Sequence, residues 1–228
     1  MYLPGPAPNL QSGPGRLTTM DGEAFVEALE AERATELDRL GPKQLLVALT
    51  DGAVVEERVL AAAAASEYAA AETFRDWSAD EPDDGAREAF EAVAAQEDEH
   101  FDRVRARLDD FDPPGAFGPM HAYLRGREDT VERIATGLVA RPVVSTRTHE
   151  RIVRFFVDEG DERTADLFRE LKAETEAVRD AGTALLEERC EADDWDRARA
   201  TAEYLVRVAY DDYADALAGM GLDPEPDR

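Results

Sequence analysis

From about residue 20 onward, apolar residues recur at alternating spacings of three and four. That is the period of a helix with one buried face. Runs of β-branched residues are rare, so strands are not expected. The pattern predicts a lead helix near 22–40 with Asp21 as its N-cap, then a break at Gly41-Pro42. A long helix follows to about Ser78 and restarts at Asp51-Gly52, where Asp51 is a candidate cap. "SADEPDDG" (78–85) reads as a loop, and a second long helix covers about 85–111. "DDFDPPGAFGPMHAYLRG" (109–126) reads as a long connection with three prolines. A third helix spans about 129–158 with Pro142 inside it. Gly160-Asp161 turns the chain, a fourth helix runs to about 190, and a last one covers about 194–219. The expected fold class is therefore all-α: two helical hairpins joined by a long crossover form a four-helix bundle, with flanking N- and C-terminal helices.

The core lines sharpen this picture. Steps of seven along the first long helix give Leu46, Ala53, Leu60, Glu67 and Phe74. Such positions stack on one face. The inward stripe of the second helix is Phe90, Val93, Glu97, His100 and Val104. Adding 78 to every number gives Leu124, Val131, Leu138, Ser145 and Ile152 on the third helix, and Phe168, Leu171, Thr175, Val178 and Gly182 on the fourth. Both lines are again mostly apolar, and Asp51 maps onto Asp129. The two halves read as copies of one hairpin.

Composition then limits the chemistry. The 228 residues carry 52 Asp and Glu against 26 Lys and Arg, a formal net charge of −26. Lysine is confined to Lys43 and Lys172. This acidic, lysine-poor balance resembles that of halophilic proteins, where negative charge keeps the surface hydrated in concentrated salt. No basic stripe is available to neutralise a phosphate backbone or an anionic membrane, so neither nucleic acid nor membrane is an expected partner. No apolar run is long enough to span a bilayer. Residues 1–20, rich in Pro and Gly, read as a disordered tail without a signal peptide's apolar core. Residues 21–220 read as one helical domain, with the core bundle at about 42–190. A cytoplasmic protein is expected, with helix packing as a route to a homo-oligomer. The single cysteine, Cys190, rules out an intrachain disulfide and any Cys₄ iron centre. It reads as an inert thiol.

Three ionisable residues fall where the stripes predict core: Glu67, Glu97 and His100. An unpaired buried carboxylate costs several kcal/mol or neutralises itself. A divalent cation removes that cost, and Glu and His at i and i+3 can reach one ion from the same helix face. The competing reading is a Glu–His pair, hydrogen-bonded or salt-bridged at a bundle edge, without metal. In "QEDEH" (96–100), Gln96, Asp98 and Glu99 are then solvated surface, whereas Glu97 and His100 face inward. Glu56 lies on a flanking line and reads as a rim charge.

"SEYAAAETF" (66–74), "FEAVAAQEDEHFDRV" (90–104) and "DEGDERTADLFRELKAETEAV" (158–178) resemble the rubrerythrin branch of the ferritin-like superfamily. The resemblance covers about residues 42–190 and implies a ferritin-like bundle. That family places a Glu on each odd helix and Glu-x-x-His on each even one, so Glu67, Glu97 and His100 match its first-half metal ligands. The second half departs from the pattern. Ser145 stands where the third-helix Glu belongs, and Thr175 with Val178 where the second Glu-x-x-His belongs. A shifted register offers Glu174 and Ala177, again without a histidine. His149, one turn past Ser145, either reaches Glu67 as a replacement or is a surface or hydrogen-bonded residue. His121 reads as structural or exposed. Pro142 either kinks the third helix beside the site or ends it. The expectation is a degenerate di-iron site that binds at most one iron or other divalent metal. No rubredoxin-type centre and no assigned catalytic residue accompany it. Two functions remain open: a non-enzymatic bundle acting through helix-mediated contacts, and a metal-dependent oxidoreductase acting on oxygen or peroxide.

Overall fold

The computed structural model describes residues 20–40 and 44–224. Most of the expected N-terminal tail and the Gly41-Pro42 break lie outside these residues. Among the described residues every regular element is helical and no strand occurs. The first elements are α1 (Gly22–Glu32), α2 (Ala34–Arg39), α3 (Gln44–Leu49), α4 (Glu56–Asp80), α5 (Asp84–Arg105) and α6 (Pro119–Arg125). They are followed by α7 (Thr130–Arg133), a π-helical segment (Ile134–Ala140), α8 (Arg141–Glu159), α9 (Glu162–Arg189) and α10 (Asp194–Gly219). Helices α4 and α5 form one hairpin, and α8 and α9 the other. Helix α5 packs on α9, while α10 lies across the π segment, α3, α6 and α7. The last helix therefore completes the core of its own chain.

Side-chain caps set several boundaries. Asp21, Asp83, Asp129 and Asp161 each accept a bond from a backbone N–H of the first turn they precede. Such a cap satisfies a donor that the helix itself leaves open. Asp51 is not a cap. It adopts φ +50 beside Gly52 at φ +80, so the chain turns there and α4 starts only after Val55. Ala53, expected on the core line, is accordingly exposed. The lead helix breaks at Arg33, whose backbone leaves the helical region while its guanidinium bonds Glu36 and Glu203 of α10. The loop after α4 is shorter than expected, and α5 ends at Arg105 rather than near 111. The long connection contains α6, which starts on Pro119 and is too short to register as a period.

Pro142 neither ends nor breaks the third helix, which runs on to Glu159. In an α-helical turn its ring would crowd the carbonyl four residues back. The π segment widens the turn before it, and the Arg141 N–H bonds Thr136 O, five residues earlier. Pro142 has no N–H to offer, and the Gly137 carbonyl takes a bond from Arg141 Nε instead, at 3.3 Å. The segment fits tightly because Gly137 has no side chain. A Cβ there would lie 2.5 Å from the Trp77 ring.

Two apolar clusters result. One joins Phe74, Trp77, Phe90, Leu138 and Val178 with the inner face of α10. The other joins Leu60, Val104, Ile152, Phe156, Phe168 and Leu171. Burying each such large side chain stabilises the fold by roughly 1.5–3 kcal/mol. Each helix of the two hairpins carries buried or half-buried polar residues between the two clusters: Glu67, then Glu97 and His100, then His149, then Glu174 and Thr175. A polar layer thus divides the core.

Candidate metal centre

That layer contains the three residues singled out in the sequence. Glu67 is 4% exposed, and Glu97 and His100 are 0%. One ligand atom from each lies within 4.8 Å of the others. Residues 97 and 100 share a face of α5, while the packing of α4 on α5 brings Glu67 opposite them.

The arrangement contains a residue that the sequence reading passed over. Arg141, 2% exposed, donates from Nη2 to Glu97 Oε1 at 2.6 Å. Its guanidinium also stands over the Phe74 ring, 5.1 Å from the centroid. Burial alone would raise the Glu97 pKa, but the Arg141 charge and the His100 and Glu67 neighbours hold it below the usual carboxylate range. Glu67 is the opposite case. Burial, reinforced by the Glu97 charge, pushes its pKa well up. Its Oε1 lies 3.0 Å from His149 Nε2. Burial also lowers the His149 pKa to about 4, so this imidazole is neutral at pH 7. A protonated Glu67 can donate to it. His149 therefore does reach Glu67, as a hydrogen-bonded buried residue.

His100 is held from its outer side. Its Nε2 lies 2.6 Å from Glu174 Oε2, and Arg103 also bonds that carboxylate. Glu174 thus reaches the site from α9 at its half-exposed edge. Burial disfavours a charged His100, but the surrounding Glu97, Glu67 and Glu174 more than offset this, and its pKa is raised. His121 is buried rather than exposed, and neither ring nitrogen has a hydrogen-bond partner among the described residues. Burial, then the Arg141 charge, lowers its pKa to about 3. All three histidines of the chain lie within the field of Glu97.

The second-half positions behave as small or apolar residues should. Thr175 is buried and donates to Leu171 O at 2.8 Å, and Val178 belongs to the apolar core. Ser145 is half-buried and Glu56 is exposed. The thiol of Cys190 is raised to about 11 by burial, which suits an inert role.

The three side chains could hold a metal ion, and the spacing of the Glu97–His100 pair suits a shared one. Glu97 Oε2 and His100 Nδ1 are buried, lack hydrogen-bond partners and lie 3.7 Å apart. Two atoms that bind one ion at about 2.0–2.2 Å can be no more than about 4.4 Å apart. The outer bond from His100 to Glu174 is the kind that fixes the tautomer of a metal-binding imidazole. Arg141 engages the other Glu97 oxygen. No protein-family model, no curated protein and no solved structure matches the chain. Among the described residues no helix is long and apolar enough to cross a membrane.

Proposed function

We propose that this is a ferritin-like helical-bundle protein of rubrerythrin type whose paired metal site has contracted to a single-cation site. Glu67, Glu97 and His100 hold the ion, and Arg141 supplies the positive charge that a second ion would bring. Ordinary two-iron peroxidase or ferroxidase chemistry is absent on this reading. The observation that carries it is the buried 2.6 Å contact between Arg141 Nη2 and Glu97 Oε1. When bound, a divalent cation supplies Lewis-acid or redox chemistry beside Glu67.

Metal content of the purified chain, with calorimetric titration of Mn²⁺ and Fe²⁺, tests the reading. At most one ion per chain is expected. A Glu97→Ala, His100→Ala double variant binds none, and His100→Gln provides a milder substitution should that variant unfold. Two ions per chain, or equal metal content in wild type and variants, would overturn the proposal.

The His100–Glu174 bond favours a second reading, an active oxidoreductase built on the single ion. Peroxide consumption by the Fe²⁺-loaded protein separates the two. Turnover no faster than that of free Fe²⁺ removes the enzyme and leaves a binding or interaction bundle.

A further inference from the structure

A pocket of about 150 Å³ opens between α3, α4, α8 and α10 and ends at the polar layer. Its walls are apolar, with Leu45, Leu46, Val59 and Ile152 among them. Small side chains leave the space open: Ala62 and Ala63 on α4, Ala209 and Ala216 on α10. Leu49 and Asp212 are exposed and mark the mouth, whereas Glu67 and His149 are buried and mark the floor. The hydroxyl-bearing Ser66, Ser145 and Thr148 also line it.

We propose that this pocket binds a small neutral molecule, largely apolar and of about six to eight non-hydrogen atoms, whose hydroxyl meets Glu67 and His149. The size follows from volume, since a cavity of about 150 Å³ lined by aliphatic and aromatic groups admits benzene. The single hydroxyl follows from the floor, where a few polar atoms end an otherwise greasy wall. A carboxylate is disfavoured at both ends, by Asp212 at the mouth and by Glu97 beyond the floor. The inference shares Glu67 with the single-cation reading but rests on the walls of the pocket and on His149, so alcohol binding and metal binding are measured separately.

Titration of the full chain with 1-hexanol and with phenol is expected to give saturable binding, Kd about 0.1–1 mM. Ala63→Leu and Ala209→Leu fill the pocket from two different helices. Each should weaken binding at least about tenfold. Methyl saturation transfer from Val144 and Ile152 to the bound alcohol locates it in wild type without any variant. Absence of saturable binding, absence of that transfer, or unchanged affinity in a folded filled variant would sink the proposal. Hexanoate binding as tightly as 1-hexanol would overturn the neutral head group.

Discussion

Glu67 and Glu97 sit on neighbouring helices of one hairpin, both buried, yet their environments drive them in opposite directions. Glu97 faces Arg141, whose charge lowers its pKa, while Glu67 faces His149 and an apolar pocket, and burial raises its pKa. Burial penalises both charges alike, so the partner decides which one persists. The difference teaches how the fold keeps a polar layer inside its core. It offsets one carboxylate with a fixed organic cation and shifts the other towards its protonated form. Pairs of carboxyl groups held apart in this way are how proteins separate acid from base roles.

The harshest test of the comparison removes the fixed cation. Arg141→Leu leaves Glu97 buried without its counter-charge, and a loss of about 3–5 kcal/mol in denaturant unfolding is expected. Adding Glu97→Gln to that variant should recover part of the loss, which a purely steric role for Arg141 would not allow. Next come the two carboxylates singly. Glu97→Gln leaves Arg141 unpaired and should cost about 2–4 kcal/mol. Glu67→Gln replaces a group that is already neutral, so its cost at pH 4 should be below about 1 kcal/mol. The folded pKa of Glu67 lies above its unfolded value, so wild type is penalised increasingly as pH rises above about 4.5. Glu67→Gln should therefore gain on wild type as pH rises through that range. Equal costs for the two substitutions would end the distinction.

His121 gives a pH effect of opposite sign. The His121 pKa is lowered to about 3 by burial, with Arg141 and Arg125 opposing the charged form and Glu97 favouring it. Above about pH 6.5 both folded and unfolded states are neutral there, so nothing is contributed. Below that, the unfolded chain takes up a proton that the folded chain refuses, and stability falls as pH drops towards about 3. His121→Leu removes this share. From about pH 6 to pH 4 its stability relative to wild type should rise by about 1.4 kcal/mol per pH unit. A difference that stays flat with pH would mean that His121 does not resist protonation.

Much of this arrangement was legible in the sequence. Helical periodicity located the four long helices and the last one, because each buries a continuous stripe. Glu67, Glu97 and His100 were found as charges on apolar lines, and the structure brings those same three together. Boundaries failed where backbone conformation, rather than pattern, decides. The left-handed turn at Asp51-Gly52 and the π segment have no period of their own. Arg141 was missed for a related reason. Its inward course depends on that π turn, which no spacing rule encodes. The signal was a lone Arg within "GLVARPVV", a charge in an apolar run of the same kind that marked Glu67. The ferritin-like assignment rests on the residue resemblance and the two-hairpin order alone.

The mildest substitution reaches the outer edge of the same contrast. Glu174 is half-exposed and touches the site only through His100, at 2.6 Å, and through Arg103. A partly solvated pair contributes little, so Glu174→Gln should change stability by no more than about 1 kcal/mol. If the His100–Glu174 bond instead serves to aim Nδ1 at a cation, the loss appears elsewhere. Mn²⁺ affinity should fall about 10- to 100-fold while the unfolding curve barely moves. The corresponding loss at Glu67 differs in kind, since His149→Gln breaks a bond to the neutral carboxyl and leaves the His100 ring aimed as before. Mn²⁺ affinity is then less sensitive to His149→Gln than to Glu174→Gln. The reverse order would mean that the aim of Glu67, rather than that of His100, governs the cation, and would break the contrast between the two carboxylates.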